Sequence, residues 1–253
     1  MTDSKRLSPM RIDLQQNLHR PWPPPERSWS LNMAWHELAF LHWAVDPNVI
    51  AKHLPDGLQV DTFEGRAWLG VVPFRMSQVR PRFCPSVPWL SAFPEINLRT
   101  YVTDGTKPGV WFFSLDVTNG MAVAIARAGF HLPYFGAKMS MKRTGDKVHY
   151  KSSRRAGEGA FEGSYGPSGP VQLAQPGSLE EFLTERYCLY AASAKGRLFR
   201  GEIHHEPWPL QAASFNIQTN SMAHSIGIEL NPSEAIGHYA ERLDVVAWGL
   251  DPV

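Results

Sequence analysis

The chain has 253 residues, 43% of them hydrophobic and 19% charged, enough apolar material for a sizeable core. Lys and Arg total 25 against 24 Asp and Glu, a net charge of +1, so no overall field draws phosphate backbones or anionic lipids, which argues against general nucleic-acid binding. Charged residues or prolines interrupt every apolar run before about 18 residues, so no spanning helix and no membrane partner are expected.

The first 30 residues carry no apolar signal region, and the only cysteines, Cys84 and Cys188, are too few for a disulfide framework. Both features predict a cytoplasmic protein. Residues 1–20 are expected to form a disordered tail. Proline-fixed φ angles make the following PWPPPER an extended arm over 21–30. Trp22 and Trp29 flank that arm and predict that it lies on the body or on a second subunit.

From Trp35 onward short aromatic and β-branched runs alternate with turn signals such as Asp104-Gly105 and Thr144-Gly145-Asp146, the pattern of strands. Asp46-Pro47 predicts an N-cap and first helical residue, with the helix stopping before Pro55. The run AWLGVVPFRM (67–76) is apolar on both faces, as a central strand must be. In FPEINLRTYV (93–102) the period of two puts Glu95, Asn97, Arg99 and Tyr101 on one face. Such a face is either a sheet surface in water or the polar wall of a cavity.

A helix is predicted over GMAVAIARAGF, with Gly129 at its end. Arg127 near its end and His131 and Tyr134 beyond it are candidates for one site, although a tyrosine after proline is also a common packing residue. Lys138 and Lys142 share a strand face that reads as solvated. Glycines and prolines concentrate in 157–178, predicting a loop-rich excursion. Ser178-Leu179-Glu180-Glu181 then has the form of a capping box. Arg186 ends that helix, where a basic side chain pairs with helix carbonyls or a carboxylate, or holds a ligand. With no internal repeat or linker, 21–253 reads as a single domain.

Ten histidines invite a metal hypothesis, but their spacing supplies no ligand set, and none of the glycine-rich phosphate or dinucleotide motifs is present. No metal or cofactor is expected.

The segments PWPPPERSW, AFLHWAV, HLPDGLQVDTFEGRAWLGVVPFRM, FPEINLRTYV, GVWFFSLD, LPYFGAKM, SLEEFLTERYCLY and HHEPWPL together resemble the YqjF-like family, domain of unknown function 2071, from about residue 21 onward. That family is similar in fold to acetoacetate decarboxylase, which implies a mainly β (α+β) body, a barrel or cone with a few short helices around a cavity. The decarboxylase glutamate corresponds to Glu95. Its Schiff-base lysine turn is matched by His131 to Phe135, with Tyr134 in the lysine's place, and its helper arginine falls on Ala44. The resemblance thus implies the fold without the imine chemistry.

The sequence therefore predicts a protein that binds a small carboxylate or carbonyl compound. Glu95 and Tyr134 are its catalytic candidates, for general acid–base chemistry, and Asn97, Arg99, Arg127, Arg186 and His205 its substrate-binding candidates. The alternative is a non-catalytic assembly protein whose arm clasps a partner subunit. On either reading a homo-oligomer, with a dimer favoured, is expected.

Overall fold

The computed structural model describes residues 12–84, 92–118 and 130–253. Among these the chain forms strands β1 (Leu31–Val45), β2 (Gln59–Val60), β3 (Ala67–Pro81), β4 (Phe93–Thr103), β5 (Pro108–Val117), β6 (Tyr134–Thr144), β7 (Lys147–Arg154), β8 (Ala160–Pro167), β9 (Cys188–Ala192), β10 (Leu198–His204), β11 (Gln211–Asn220) and β12 (Ile236–Pro252). Two short helices, α1 (Pro47–Ala51) and α2 (Leu179–Thr184), interrupt them. The mainly β expectation is met.

The strands make one 12-stranded sheet in the order β10-β9-β5-β6-β7-β8-β11-β12-β1-β3-β4-β2. Further pairings of β4 with β5 and β10 with β12 turn the sheet back on itself, so its middle strands are covered on both faces. On one side Leu41, Leu69, Val71, Ile96 and Leu98 pack against Tyr150, Phe161 and Tyr165. On the other, Phe40, Val72, Phe74 and Val117 pack against Trp208 and Leu210. β3 lies between β1 and β4 and contributes to both cores, as its two apolar faces predict. Each such aliphatic or aromatic side chain contributes roughly 1.5–3 kcal/mol on burial.

Local chemistry sets the ends of the elements. Asp46 accepts a hydrogen bond from the Asn48 N–H at 2.8 Å, with Pro47 as the first helical residue of α1. Ser178 accepts from the Glu181 N–H at 3.2 Å, and the Glu181 carboxylate reaches back to the Gly177 N–H at 2.6 Å, one residue before the cap. Gly145 supplies a φ of 60° in the β6–β7 hairpin. The helix predicted over GMAVAIARAGF lies, but for its last residue, outside the described residues.

Two expectations need correction. The excursion predicted over 157–178 is irregular at 168–178, as expected, but it contains β8, whose Gly163 and Gly166 serve close backbone packing: a Cβ at Gly166 would stand 2.1 Å from the Asp146 carbonyl oxygen. Arg20, placed by sequence in a free tail, is buried. Its guanidinium lies 4.7 Å from the Tyr187 ring and donates to Glu202 at 3.0 Å and to the Ile203 carbonyl at 2.5 Å. The arm behind it docks on its own chain, with Trp22 packed against Leu58, Val102, Cys188 and Tyr190 and donating to Glu202 at 2.7 Å. Among the described residues no helix is long and apolar enough to cross a membrane.

Candidate functional site

Strand β4 presents the hydrogen-bonding face foreseen from its alternation, and that face is interior: Glu95 is 1%, Asn97 5% and Tyr101 0% exposed. The reading of a sheet surface in water is thereby overturned, because Ile96 and Leu98 fill one core while the polar face looks into the other. Register places Glu95 between Phe74 of β3 and Val117 of β5, and Asn97 between Val72 and Leu115.

Glu95 is a carboxyl in an apolar setting. Burial pushes its pKa up to about 8, Tyr134 and Asn97 pull it down by hydrogen bonding, and nearby Asp116 raises it further. Near neutral pH the group is therefore mostly protonated. The Tyr134 hydroxyl, at the start of β6, stands 3.4 Å from Glu95 Oε2, long for an O–H···O bond. Burial and the neighbouring Glu95 hold the Tyr134 pKa well above its ordinary value, so the hydroxyl remains a donor. The Asn97 Oδ1 atom is buried with no partner.

Further along β4, the half-buried Arg99 donates through Nη2 to the Tyr101 hydroxyl at 3.2 Å and to the Leu183 carbonyl at 3.1 Å. Its guanidinium lies 5.1 Å from the Phe40 ring centroid, and its Nε is buried without a partner. The Tyr101 proton goes to the Leu183 carbonyl at 2.7 Å, so His42 Nε2, 2.7 Å away, is the donor to the Tyr101 oxygen. Burial holds the His42 pKa well below the ordinary histidine value. Gly70 makes room for this group: a Cβ there would meet His42 Nε2 at 3.0 Å and Arg99 Cγ at 3.3 Å.

The remaining candidates separate. Arg186 spends its donors inside the fold, from Nε to the Phe182 carbonyl and from Nη1 to Asp61, both at 2.6 Å, and packs 4.9 Å from the Tyr101 ring. It also borders a surface cleft of about 520 Å³ together with Asp61, Phe182, Glu185 and Tyr187. His205 is buried, stacked 4.7 Å from Tyr187, and donates from Nδ1 to the Glu206 carbonyl at 2.8 Å. Burial depresses its pKa to about 3. Arg127 lies outside the described residues. His131 is exposed and packs 5.0 Å from Phe199 instead of joining Glu95.

The structure thus brings Glu95, Asn97 and Tyr134 together, and sets the Arg99 and Arg186 guanidinium groups 5.6 and 4.9 Å from the Tyr101 ring. Sequence reasoning missed the Asp116–Arg154 ion pair at 2.8 Å on the opposite face, whose two side chains are 0% and 4% exposed. An acidic residue ending the apolar run GVWFFSLDV was the available signal. Among the described residues no cluster of three or more His, Cys, Asp or Glu is placed to hold a metal.

Residues 32–244 match the family DUF2071, described as an uncharacterized conserved protein. The uncharacterized protein YqjF of Bacillus subtilis strain 168 is 41% identical over 227 residues, which cover 89% of this chain and 93% of that one. An acetoacetate decarboxylase from Legionella pneumophila aligns over 98% of both chains with a TM-score of 0.62 at 12% identity. An acetoacetate decarboxylase-like enzyme from Sphingomonas wittichii RW1 aligns over 90% of this chain and 94% of its own, with a TM-score of 0.61 at 12% identity. The enduracididine biosynthesis enzyme MppR complexed with pyruvate covers 92% of this chain and 91% of its own, with a TM-score of 0.63 at 14% identity. These structural likenesses are likenesses of fold.

Proposed function

The chain belongs to the DUF2071 family of uncharacterized conserved proteins, with an acetoacetate decarboxylase-like fold, and from that premise we propose that it binds a small carbonyl or carboxylate compound on the polar face of β4 and acts on it by general acid–base chemistry. The observation that carries this reading is Glu95, a buried carboxyl whose pKa near 8 keeps a transferable proton at neutral pH. In this scheme the Glu95 proton goes to the ligand's carbonyl oxygen while the resulting carboxylate takes a proton from the adjacent carbon, so that the ligand becomes its enol and Glu95 ends protonated as it began; the Tyr134 hydroxyl donates a second hydrogen bond to the same oxygen. Two structural relatives support the ligand class: one is an acetoacetate decarboxylase, the other was solved with pyruvate.

Covalent imine chemistry is disfavoured by the placement of the lysines. Lys138 is exposed, and Lys107, the only lysine among the described residues that is not exposed, is paired with Glu202. The arm, docked on its own chain through Trp22, gives no support to the alternative of a clasp on a partner. A thermal-shift screen against oxo acids, hydroxy acids and lactones tests the proposal. Ligand at about 100 times its Kd adds roughly 2.7 kcal/mol, a shift of several degrees, which is expected for wild type and not for Glu95→Gln. No stabilising compound, with the variant as well folded as wild type, would overturn the proposal.

A further inference from the structure

We infer that the surface cleft bordered by Arg186 binds a free α-amino acid with an apolar side chain, its carboxylate on Arg186 and its ammonium group on Asp61; the inference is independent of the function proposed for Glu95. The cleft, about 520 Å³, falls within the size range of small-molecule pockets. The Arg186 side chain is 6% exposed and that of Asp61 25%, and a single contact joins them, from Nη1 to Oδ2 at 2.6 Å. Arg186 Nε donates to the Phe182 carbonyl. Arg186 Nη2 and Asp61 Oδ1 remain: neither has a hydrogen bond in the fold, and neither is sealed from solvent as Arg99 Nε is. Both belong to residues that line the cleft.

A guanidinium nitrogen and a carboxylate oxygen left open side by side call for a ligand with an acceptor and a donor on neighbouring atoms. Nη2 and Oδ1 are each joined through one carbon to the atoms of the 2.6 Å contact, so they lie at most about 7 Å apart. The carboxylate and ammonium groups on one α carbon bridge such a gap with a hydrogen bond of about 3 Å at each end. The Arg186–Asp61 pair is neutral as a whole, and so is an amino-acid zwitterion, so its binding buries no net charge. Two further carboxylates, Glu181 and Glu185, border the cleft, while the charge of Arg20 is compensated by Glu202. They oppose a ligand that is only a carboxylate and favour one that also carries an ammonium group.

The ligand's side chain is assigned from the rest of the lining. Phe63 and Phe182, with ring centroids 5.6 Å apart, supply an aromatic wall, and the Arg186 guanidinium lies 4.2 Å from the Phe182 ring, so wall and polar pair adjoin. Phe63 is only half-buried, and an apolar side chain laid against it removes its remaining surface from water. Phenylalanine does this and glycine does not.

Calorimetry on the full chain with L-phenylalanine, glycine, 3-phenylpropionate and 2-phenylethylamine provides the test. L-phenylalanine should bind tightest, and the other three, which each lack one of the three contacts, at least tenfold more weakly. Asp61→Asn and Phe63→Ala should each weaken L-phenylalanine at least tenfold. The ligand comparison uses wild-type protein and Phe63→Ala leaves the ion pair in place, so the test holds even if Asp61→Asn folds poorly. Any of the three partial ligands binding as tightly as L-phenylalanine would overturn the inference. So would L-phenylalanine binding that both variants leave unchanged, or its failure to bind wild type at all.

Discussion

The hydroxyl of Tyr134 stands 3.4 Å from the carboxyl of Glu95, across two strands and 39 residues of sequence, and no basic side chain of the described residues is paired with that carboxyl. A protonated glutamate with a phenol beside it is an arrangement of two donors, suited to polarising a carbonyl oxygen.

The raised pKa has a thermodynamic consequence. The Glu95 carboxyl titrates at about 8 when folded against 4.5 for the ordinary group, so between those values the folded state binds the extra proton. Stability from this group is full below pH 4.5 and falls as pH rises toward 8, at up to about 1.4 kcal/mol per pH unit. Urea unfolding of wild type should show a falling midpoint from pH 6.5 to 8, and Glu95→Gln should flatten that limb. An unchanged limb in the variant would remove Glu95 from the account.

Acid acts in the opposite sense through buried histidines. His36 and His204 are depressed to about 4 and His205 to about 3, chiefly by burial, from an ordinary value of 6.5. Each is neutral in the fold and takes up a proton on unfolding, so its contribution is complete above pH 6.5 and is lost as pH falls toward 4. Stability should therefore peak near pH 6.5. Denaturation at pH 5 should take up protons, fewer in His205→Gln than in wild type; equal uptake would show that His205 is not held neutral.

How much was legible in the sequence follows from what period-two alternation encodes. It identified β4's polar face and β3's two apolar faces, and the N-caps Asp46 and Ser178 were readable from local chemistry alone. Alternation does not say whether a polar face meets water or a second layer. That was decided by contacts between segments distant in sequence: the β10–β12 pairing turns the sheet back on itself, and Trp208 and Leu210 pack with Phe74 and Val117, the two residues that flank Glu95. The Arg20–Glu202 contact, 182 residues apart, and the Asp116–Arg154 pair were hidden for the same reason. Glycines in β8 looked like loop residues because the backbone they accommodate, at Asp146 in the β6–β7 turn and Asn216 in β11, belongs to other segments.

That hidden ion pair gives a further prediction. Asp116→Ala leaves the Arg154 guanidinium buried and uncompensated, which should cost about 3–5 kcal/mol in urea unfolding. Replacing both residues together, as Asp116→Leu with Arg154→Met, should cost much less than the single change. A single-variant cost below about 1 kcal/mol would contradict the structural role.

The proposed chemistry depends above all on the protonation state of one carboxyl, and NMR of protein labelled with 13C at the glutamate side-chain carboxyl reads it directly. Comparison of wild type with Glu95→Gln assigns the resonance, and titration from pH 5 to pH 10 follows it. The account predicts a carboxyl that ionises near pH 8. Ionisation already complete at pH 6 would contradict it.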